Sequence, residues 1–216
     1  LVATHFVEFT WFPGLARSQK QKSIRSLHHE ASMKLGLDEI LEISSKSKQP
    51  LGVQLSAFNL TLNSPEGVTS SIESLFQGSK VFEHDGPFID LYGRPALESK
   101  KDIRLTSSGA LTHFHYGERV WGLEPKTAFY DWLYLSALMQ HKDLAEEVLH
   151  FEAFTDIEFN PKKSINCQAY SAALYCALSS RGLSEIAVQS PDTFIETHAR
   201  QQPVPRPAQS SLPGLT

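Results

Sequence analysis

The 216-residue chain has no apolar run close to the roughly 18 residues that a membrane-spanning helix requires. It contains only two cysteines, Cys167 and Cys176, which lie nine residues apart within one expected helix. That spacing separates them by about 13 Å and half a helical revolution, too far for a disulfide. Two unpaired thiols are typical of a reducing compartment, so we expect a cytoplasmic protein with no membrane partner.

Common nucleotide-binding and metal-binding motifs are also missing. The sequence has no glycine-rich dinucleotide fingerprint, no P-loop, no serine nucleophile elbow and no zinc-protease motif. His113 and His115 share one face of an expected strand, but no carboxylate or third histidine stands near them at ligand spacing. We therefore expect neither a metal nor a cofactor.

The chain also lacks an excess of positive charge. Its 20 basic and 24 acidic residues give a net charge of −4, which does not favour a nucleic acid or an anionic membrane as partner. A contact with such a partner requires a local basic patch. Lys20, Lys22 and Arg25 form one, in the first turns of a helix expected over 18–35. This patch is either ordinary solvated charge or a contact for phosphate groups.

What the sequence does contain predicts an α+β protein, with 41% hydrophobic and 20% charged residues. We expect one mostly helical domain over 1–196, followed by a disordered Pro- and Ser-rich tail over 197–216. Alternation of apolar and polar residues predicts a small antiparallel sheet from 5–12, 53–62 and 103–123. Periodic segments predict helices over 18–35 (opened by a capping box of Ser18 and Gln21), 71–80, 125–140, 143–149 and 164–181.

The segment SIESLFQGSK (71–80) carries the clearest candidate site. On a helix, Glu73, Gln77 and Lys80 fall on one polar stripe beside an apolar face. On spacing alone, a solvated amphipathic helix is the favoured interpretation. The alternative is that an acid, an amide and a base are lined up for chemistry at the edge of the core.

Further polar residues lie at expected kinks and helix starts. Asn59 follows a bend in the second expected strand, and Asp156 lies in the extended segment over 155–161. Lys163, Ser164 and Asn166 crowd the start of the last helix, where free backbone N–H groups favour an anion. This pattern fits an anionic sugar or nucleotide ligand but does not identify one.

The order of three segments resembles the NADAR family. LSAFN (55–59) precedes SIESLFQGSK, which is similar to the family's E-x-x-F-Q-x-x-K helix, and the segment over 137–159 follows. The segments FTWFPGLARSQKQKSIRSLH, LEPKTAFYDWLY and FTDIEFNPKKSINCQA resemble the branch that acts as antitoxin beside a DarT-type toxin. The resemblance covers roughly residues 5–185. Two departures are Ser74, where the wider family has His, and the absence of a clear D-x-x-W-G element, whose place we assign to Asp156.

The resemblance implies hydrolysis of the N-glycosidic bond that links ADP-ribose to the guanine amino group of DNA. The implied partners are ADP-ribosylated DNA, ADP-ribose as product and the cognate toxin. Glu73 matches the motif acid, and Lys80 either binds phosphate or attacks the ring-opened sugar as a Schiff-base nucleophile. The remaining implied roles are catalysis for Asp156, a sugar or base contact for Asn59, orientation of ribose hydroxyls or of water for Gln77, pyrophosphate contacts for Lys163 and Ser164, a substrate contact for Asn166, and DNA-backbone contacts for Lys20, Lys22 and Arg25.

Two other functions remain open at this stage. One is a non-catalytic module that binds ADP-ribose or the toxin directly. The other is an N-glycosidase that acts on a small guanine-derived metabolite.

Overall fold

The computed structural model describes residues 2–160 and 164–201, with side chains described up to residue 197. The helices are α1 Arg17–Leu35, α2 Pro50–Gln54, α3 Ile72–Gly78, α4 Ala96–Lys100, α5 Arg104–Ser107, α6 Ala128–Gln140, α7 Lys142–Glu147, α8 Gln168–Ser179, α9 Ser184–Ala187 and α10 Pro191–Gln201. The strands are β1 Ile40–Glu42, β2 Thr61–Asn63, β3 Thr69–Ser71, β4 Lys80–Phe82, β5 Leu111–Tyr116, β6 Arg119–Trp121 and β7 Ala153–Thr155. Single 3₁₀ turns occur at Ile89–Leu91 and Val148–His150.

Helix α6 forms the centre of the fold because its residues are apolar on almost every side. It is in contact with α3, α8, α10 and β2. The Phe129 ring of α6 stacks on Phe114 at 4.8 Å and contacts Phe76 at 6.1 Å. This aromatic cluster fixes α3 against the core. Within the described residues, no helix has the length and apolar character that a membrane span requires.

The strands form three small sheets. β1 and β7 pair in parallel, with Ile40 opposite Ala153. β2 and β3 form an antiparallel pair, and β4, β5 and β6 form an antiparallel three-stranded sheet with β5 in the middle. This mixture of helices and short sheets confirms the predicted α+β class.

Several predicted elements are confirmed. Helix α1 covers the expected range and ends at Gly36, whose φ of 68° is the left-handed conformation that glycine adopts readily. The strand–turn–strand over β5 and β6 turns at Gly117, with φ of 58°. Helices α6 and α7 also lie where the periodicity places them, although α6 begins at Ala128 rather than at Pro125.

The predicted sheet is wrong in its membership. Segment 5–12 forms no strand, because the N–H groups of Thr10 and Phe12 donate to the hydroxyls of Ser26 and Ser23 on α1. Residues 53 and 54 are the last two of helix α2, whose C-cap is Leu55; Leu51 and Leu55, one turn apart, are both buried. Residues 104–106 belong to α5, which begins after Ile103, and the Asp102 carboxylate accepts the Arg104 N–H at 3.0 Å.

Helix and strand ends also differ from the predictions. The cap of α1 is Ala16, without a side-chain hydrogen bond, so the capping box of Ser18 and Gln21 is wrong. The last expected helix begins at Gln168 instead of residue 164. Helix α10 continues to Gln201, and the expected tail from 202 onward lies outside the described residues.

Gly52 provides a test of how tightly α2 packs on β1. A Cβ added there would meet the Glu42 carbonyl oxygen at 2.0 Å and the Ser47 hydroxyl at 2.6 Å. We expect Gly52→Ala to lower the free energy of unfolding by about 3 kcal/mol, because the backbone must move. Chemical denaturation measures the change. The control Gly67→Ala has open space and carries only the strain of its positive φ, about 1 kcal/mol, so equal losses for both variants would contradict this packing.

Candidate active site

A cavity of about 1070 Å³ lies between α3, the start of α6 and the segment that connects β7 to α8. Such a volume accommodates a nucleotide-sized ligand. Six residues singled out in the sequence line it: Glu73, Gln77, Lys80, Asp156, Ser164 and Asn166. Residues far apart in the sequence therefore converge on one cavity.

Helix α3 forms the floor of this cavity, and every one of its residues is buried. Glu73 is only 6% exposed and Gln77 only 7%. The solvated amphipathic helix favoured by spacing alone is therefore wrong. Ser71 caps the helix by accepting the Ser74 N–H, and the Glu73 N–H donates to the Ala57 carbonyl at 2.9 Å. These bonds fix the Glu73 backbone.

The polar stripe is a continuous chain of contacts. Lys80 Nζ donates to Gln77 Oε1 at 2.7 Å, and Gln77 Nε2 donates to Glu73 Oε1 at 2.8 Å. Lys100 Nζ lies 3.4 Å from the same Glu73 oxygen. The Gln77 amide oxygen accepts from the Lys80 amine and the Gln77 amide nitrogen donates to the Glu73 carboxylate, so these two partners fix which way the amide is oriented. The stripe thus joins Lys80 to Glu73 although the two do not touch.

Lys80 lies in β4 and not on the helix, which corrects the predicted range of 71–80. Its Nζ lies 4.9 Å from the centre of the Phe76 ring. Burial lowers the pKa of Lys80 to about 8, and the positive charge of Lys100 contributes, whereas Glu73 opposes the shift. Roughly a tenth of the Lys80 amine is therefore neutral at pH 7, far more than for an ordinary lysine.

Asp156 also lines the cavity and comes directly after β7. Its carboxylate accepts the N–H groups of Glu158 and Phe159, at 3.0 and 3.1 Å, so the chain turns here instead of extending to residue 161 as predicted. Burial raises the pKa of Asp156 to about 7, and the nearby acid Glu42 contributes. Glu42 is itself buried, and its burial raises its own pKa.

Gln168 is a site residue that sequence reasoning missed. Its Oε1 accepts the Ala57 N–H at 2.7 Å, and its Nε2 donates to the Ile43 carbonyl at 2.8 Å. Its side chain also lies close enough to Asp156 to lower the pKa of that carboxyl, against the effect of burial. Since the Ala57 carbonyl holds the Glu73 N–H, Gln168 links the two acids of the cavity. A glutamine at the start of an apolar helix gives no sequence signal of this role.

Tyr130 was also missed, because it belongs to an aromatic stripe that is otherwise core. It lines the cavity, and its ring meets Phe76 edge-on at 5.3 Å. Burial raises the pKa of the Tyr130 hydroxyl, and the charges of Glu73 and Asp156 add to the shift. The tyrosine therefore lies within electrostatic reach of both acids.

Four other candidates among the described residues do not line the cavity. The Asn59 amide donates to the Val53 carbonyl at 2.8 Å and to the Ser56 hydroxyl at 3.0 Å, which closes the turn after α2. Lys163 lies outside the described residues. Lys20, Lys22 and Arg25 lie on α1, and they form a separate surface.

Ser164 and Asn166 lie in the loop before α8, where the Ser164 hydroxyl donates to the Asn166 carbonyl at 3.2 Å. Both line the cavity, without belonging to the helix start predicted for them. In the described parts of the chain, no three His, Cys, Asp or Glu side chains are grouped as metal ligands.

The fold and the cavity define a small α+β protein with an acid–amide–amine chain buried at the base of a nucleotide-sized cavity. The sequence matches the family described as DarT1-associated NADAR antitoxin over residues 1–206, and the chain belongs to this family. A comparison with curated proteins gave no match. The family match confirms the resemblance drawn from the E-x-x-F-Q-x-x-K helix.

Replacement of Gln168 tests its role as the link between the two acids. Gln168→Leu leaves the Ala57 N–H and the Ile43 carbonyl without partners, so we expect a loss of about 2–4 kcal/mol in the free energy of unfolding. Gln168→Glu keeps the acceptor for Ala57 and places a second carboxylate beside Asp156, which should raise the Asp156 pKa further. Denaturation and NMR titration of the carboxyl groups measure the two effects.

The control for Gln168 is the exposed Gln54→Leu, which should change neither stability nor titration. If Gln168→Leu were as stable as the wild type, the proposed link would be wrong.

The pKa of Asp156 predicts a pH-dependent stability. It rises from an ordinary 3.8 to about 7 on folding, so the folded state holds the proton more tightly and stability falls as pH rises between these values. Asp156→Asn keeps the oxygen acceptor and removes the buried charge. We expect its melting temperature to exceed that of the wild type by about 5 °C or more at pH 8, with the gap closing towards pH 4.

Thermal melts at both pH values test this, with the exposed Asp38→Asn as a control that should show no such trend. A pH-independent gap for Asp156→Asn would mean that the carboxylate is not the source of the instability.

Proposed function

We propose that this chain removes ADP-ribose from the guanine amino group of DNA by hydrolysis of the N-glycosidic bond, and that it thereby acts as an antitoxin to a DNA-modifying toxin. The observation that carries the proposal is the chain Lys80–Gln77–Glu73 at the base of the cavity, in a member of the antitoxin family. These three hydrogen-bonded side chains supply the two groups that this chemistry needs, an amine and a carboxylate.

The reaction breaks the bond between the anomeric carbon and the exocyclic nitrogen of guanine. Such a glycosylamine opens its ribose ring to an imine, which an amine attacks more readily than it attacks a closed sugar. The burial of Lys80 favours this role over phosphate binding, because a lowered pKa increases the neutral, nucleophilic form and weakens the charge that a phosphate would seek.

In the proposed steps, the neutral Lys80 amine forms a bond to the anomeric carbon, and the bond to the guanine nitrogen breaks. The guanine nitrogen takes one proton as the amine adds to the imine and a second as the bond breaks, which balances the two protons that Lys80 gives up in becoming an imine, so guanine leaves with its amino group restored. Water then adds to the Lys80–sugar imine, releases ADP-ribose with a free anomeric carbon and returns the amine. One water is consumed per turnover, and the electron count does not change.

Glu73 is proposed to move the protons in these steps. Its carboxylate is held 2.8 Å from the Gln77 amide, next to the Lys80 amine at the other end of that amide. It accepts a proton from the attacking amine and later from water. Asp156, with a pKa of about 7, is the proposed proton donor to the leaving nitrogen.

The rest of the cavity is proposed to hold the ADP part of the substrate. Lys100 and Lys126 line the cavity and place positive charge where the diphosphate would enter. Ser164 and Asn166 line the same cavity and offer polar contacts, and the role of Lys163 stays a prediction. Lys20, Lys22 and Arg25 are proposed to contact the DNA backbone. The buried amine favours this hydrolase over a module that only binds ADP-ribose, because binding requires no nucleophile.

The decisive experiment incubates the protein with DNA that carries ADP-ribosylated guanine and follows free ADP-ribose and restored guanine by mass spectrometry. We expect release by the wild type, with a bell-shaped pH dependence whose maximum lies between the two pKa values of about 7 and 8, because Lys80 must lose its proton while Asp156 keeps its own. Glu73→Gln should lower the rate by about 10²-fold or more. Lys80→Arg keeps the charge but not the nucleophile, so it should be inactive, and borohydride should trap a sugar adduct on Lys80 of the wild type.

The exposed Lys142→Gln is the control that should retain full activity. Full activity of Lys80→Arg would return Lys80 to phosphate binding. No release by the wild type from verified substrate would refute the proposed activity, and faster turnover of a modified free nucleotide than of modified DNA would indicate a metabolite N-glycosidase.

A further inference from the structure

The first fifth of the chain carries an uneven distribution of charge that the cavity does not use. Residues 9–29 contain four Lys or Arg residues and no Asp or Glu, although the whole chain has a net charge of −4. The first turn of α1 has no acidic residue. Arg17 and Lys20 lie in the first turn of α1, where cations oppose the helix dipole, so these two side chains do not serve helix stability.

Aromatic side chains lie directly beside these cations. The N–H groups of Thr10 and Phe12 donate to Ser26 and Ser23 at 2.9 Å, which fixes this extended segment along α1. Lys20 Nζ then lies 4.4 Å from the centre of the Trp11 ring, and Lys22 Nζ lies 6.0 Å from that of Phe12. The Trp11 side chain is nevertheless 46% exposed, which is unusual for so large an apolar group.

We infer that Trp11, Phe12, Lys20, Lys22 and Arg25 form a binding surface for single-stranded nucleic acid, here called the aromatic–basic surface. Exposed aromatic faces beside cations are the combination that holds a single strand, because bases stack on the rings while the cations meet the phosphates. A duplex offers its phosphates but keeps its bases stacked on each other. Trp11 therefore distinguishes a single strand from a duplex.

The aromatic–basic surface reaches the cavity through one loop. The Arg17 guanidinium donates to the Ser47 carbonyl at 3.0 Å, and the Gln21 amide donates to the Lys46 carbonyl at 3.4 Å. In the same loop, the Ser45 hydroxyl donates to Glu158 at 3.1 Å, and both of these residues line the cavity. A strand held on α1 thus lies one loop away from the cavity mouth. The biological role of this surface rests on the proposed function, whereas its binding of a single strand can be measured independently of that function.

The chain allows a direct optical test with an unmodified oligonucleotide. Of its three tryptophans, Trp121 and Trp132 are buried, so Trp11 is the one that solution ligands reach. We expect a single-stranded oligonucleotide to quench the tryptophan fluorescence of the full chain and a hairpin duplex of the same composition to do so far less. Trp11→Ala should lower single-strand affinity by about fivefold or more, measured by anisotropy of a labelled strand.

The cations are tested by the salt dependence of that affinity. The double variant Lys20→Gln, Lys22→Gln should reduce the slope of log affinity against log salt by about 1.4, the expected change for two lost phosphate contacts to a single strand. The exposed Lys142→Gln and Ile103→Ala are controls for the loss of a cation and of an apolar side chain elsewhere, and should leave affinity unchanged. Circular dichroism melts verify that all the variants are folded.

Three outcomes would overturn the inference. They are equal binding of duplex and single strand, an unchanged affinity for Trp11→Ala, and capture of the purified toxin through these residues without any oligonucleotide binding. The test is independent of ADP-ribose release, so failure here leaves the proposed activity standing. Conversely, the binding test would detect this surface even if the protein did not release ADP-ribose.

Discussion

The structure depends on the burial of an acid and an amide, with a half-buried amine beside them, beneath one aromatic core. Removing charged groups from water is unfavourable unless other polar groups replace the lost hydration. Gln77 provides this replacement, because it donates to Glu73 and accepts from Lys80 at distances of 2.8 and 2.7 Å. A direct ion pair would place the two charges together and hold both of them in their ionised forms. The intervening amide satisfies both groups while it leaves the amine with a pKa of about 8.

The surrounding fold explains why these three side chains stay in place. Helix α3 lies between the aromatic cluster of α6 and the turn that follows α2, and its last residue, Gly78, approaches the Tyr92 ring and the Phe88 carbonyl too closely for a side chain. The Ala57 peptide is held on both sides, by the Glu73 N–H and by Gln168. The helix therefore has little freedom to rotate the stripe away from the cavity. Rigid support of this kind is what a reactive group requires for defined geometry.

The sequence predicted those parts of the molecule whose pattern is local and long. Helix α1 and the β5–β6 hairpin are long enough for the helical or alternating pattern of apolar residues to be recognised. A glycine marks the end of the helix and another marks the turn of the hairpin. It misassigned 53–57, where an apolar pattern five residues long fits a strand as well as a short helix. Segment 5–12 has the alternation of a strand, but its partner is a helix whose serine hydroxyls take the place of a neighbouring strand.

For the candidate site, the motif identified Glu73, Gln77 and Lys80, but no local pattern predicted their burial. The residues that cover α3 come from α6, about 50 positions later in the sequence. Gln168 and Tyr130 were missed for the same reason, since their roles arise from contacts with Ala57 and Phe76 across the fold. The sequence carries the chemistry of the site in one helix, whereas the environment that tunes it is assembled from distant segments.

Burial in the cavity brings the pKa values of Asp156 and Lys80 closer together. Burial raises the pKa of Asp156 to about 7 and lowers that of Lys80 to about 8, so groups that ordinarily titrate nearly seven units apart are brought to within about one unit. Near neutral pH, each is then present in both of its forms, and a proton can be exchanged between them through a substrate without a large free-energy difference. By contrast, an aspartate and a lysine on the protein surface are both almost fully ionised in this pH range. Burial in one cavity therefore brings an acid and an amine to similar pKa values, which neither residue has in water, and this is the pairing that the proposed mechanism requires.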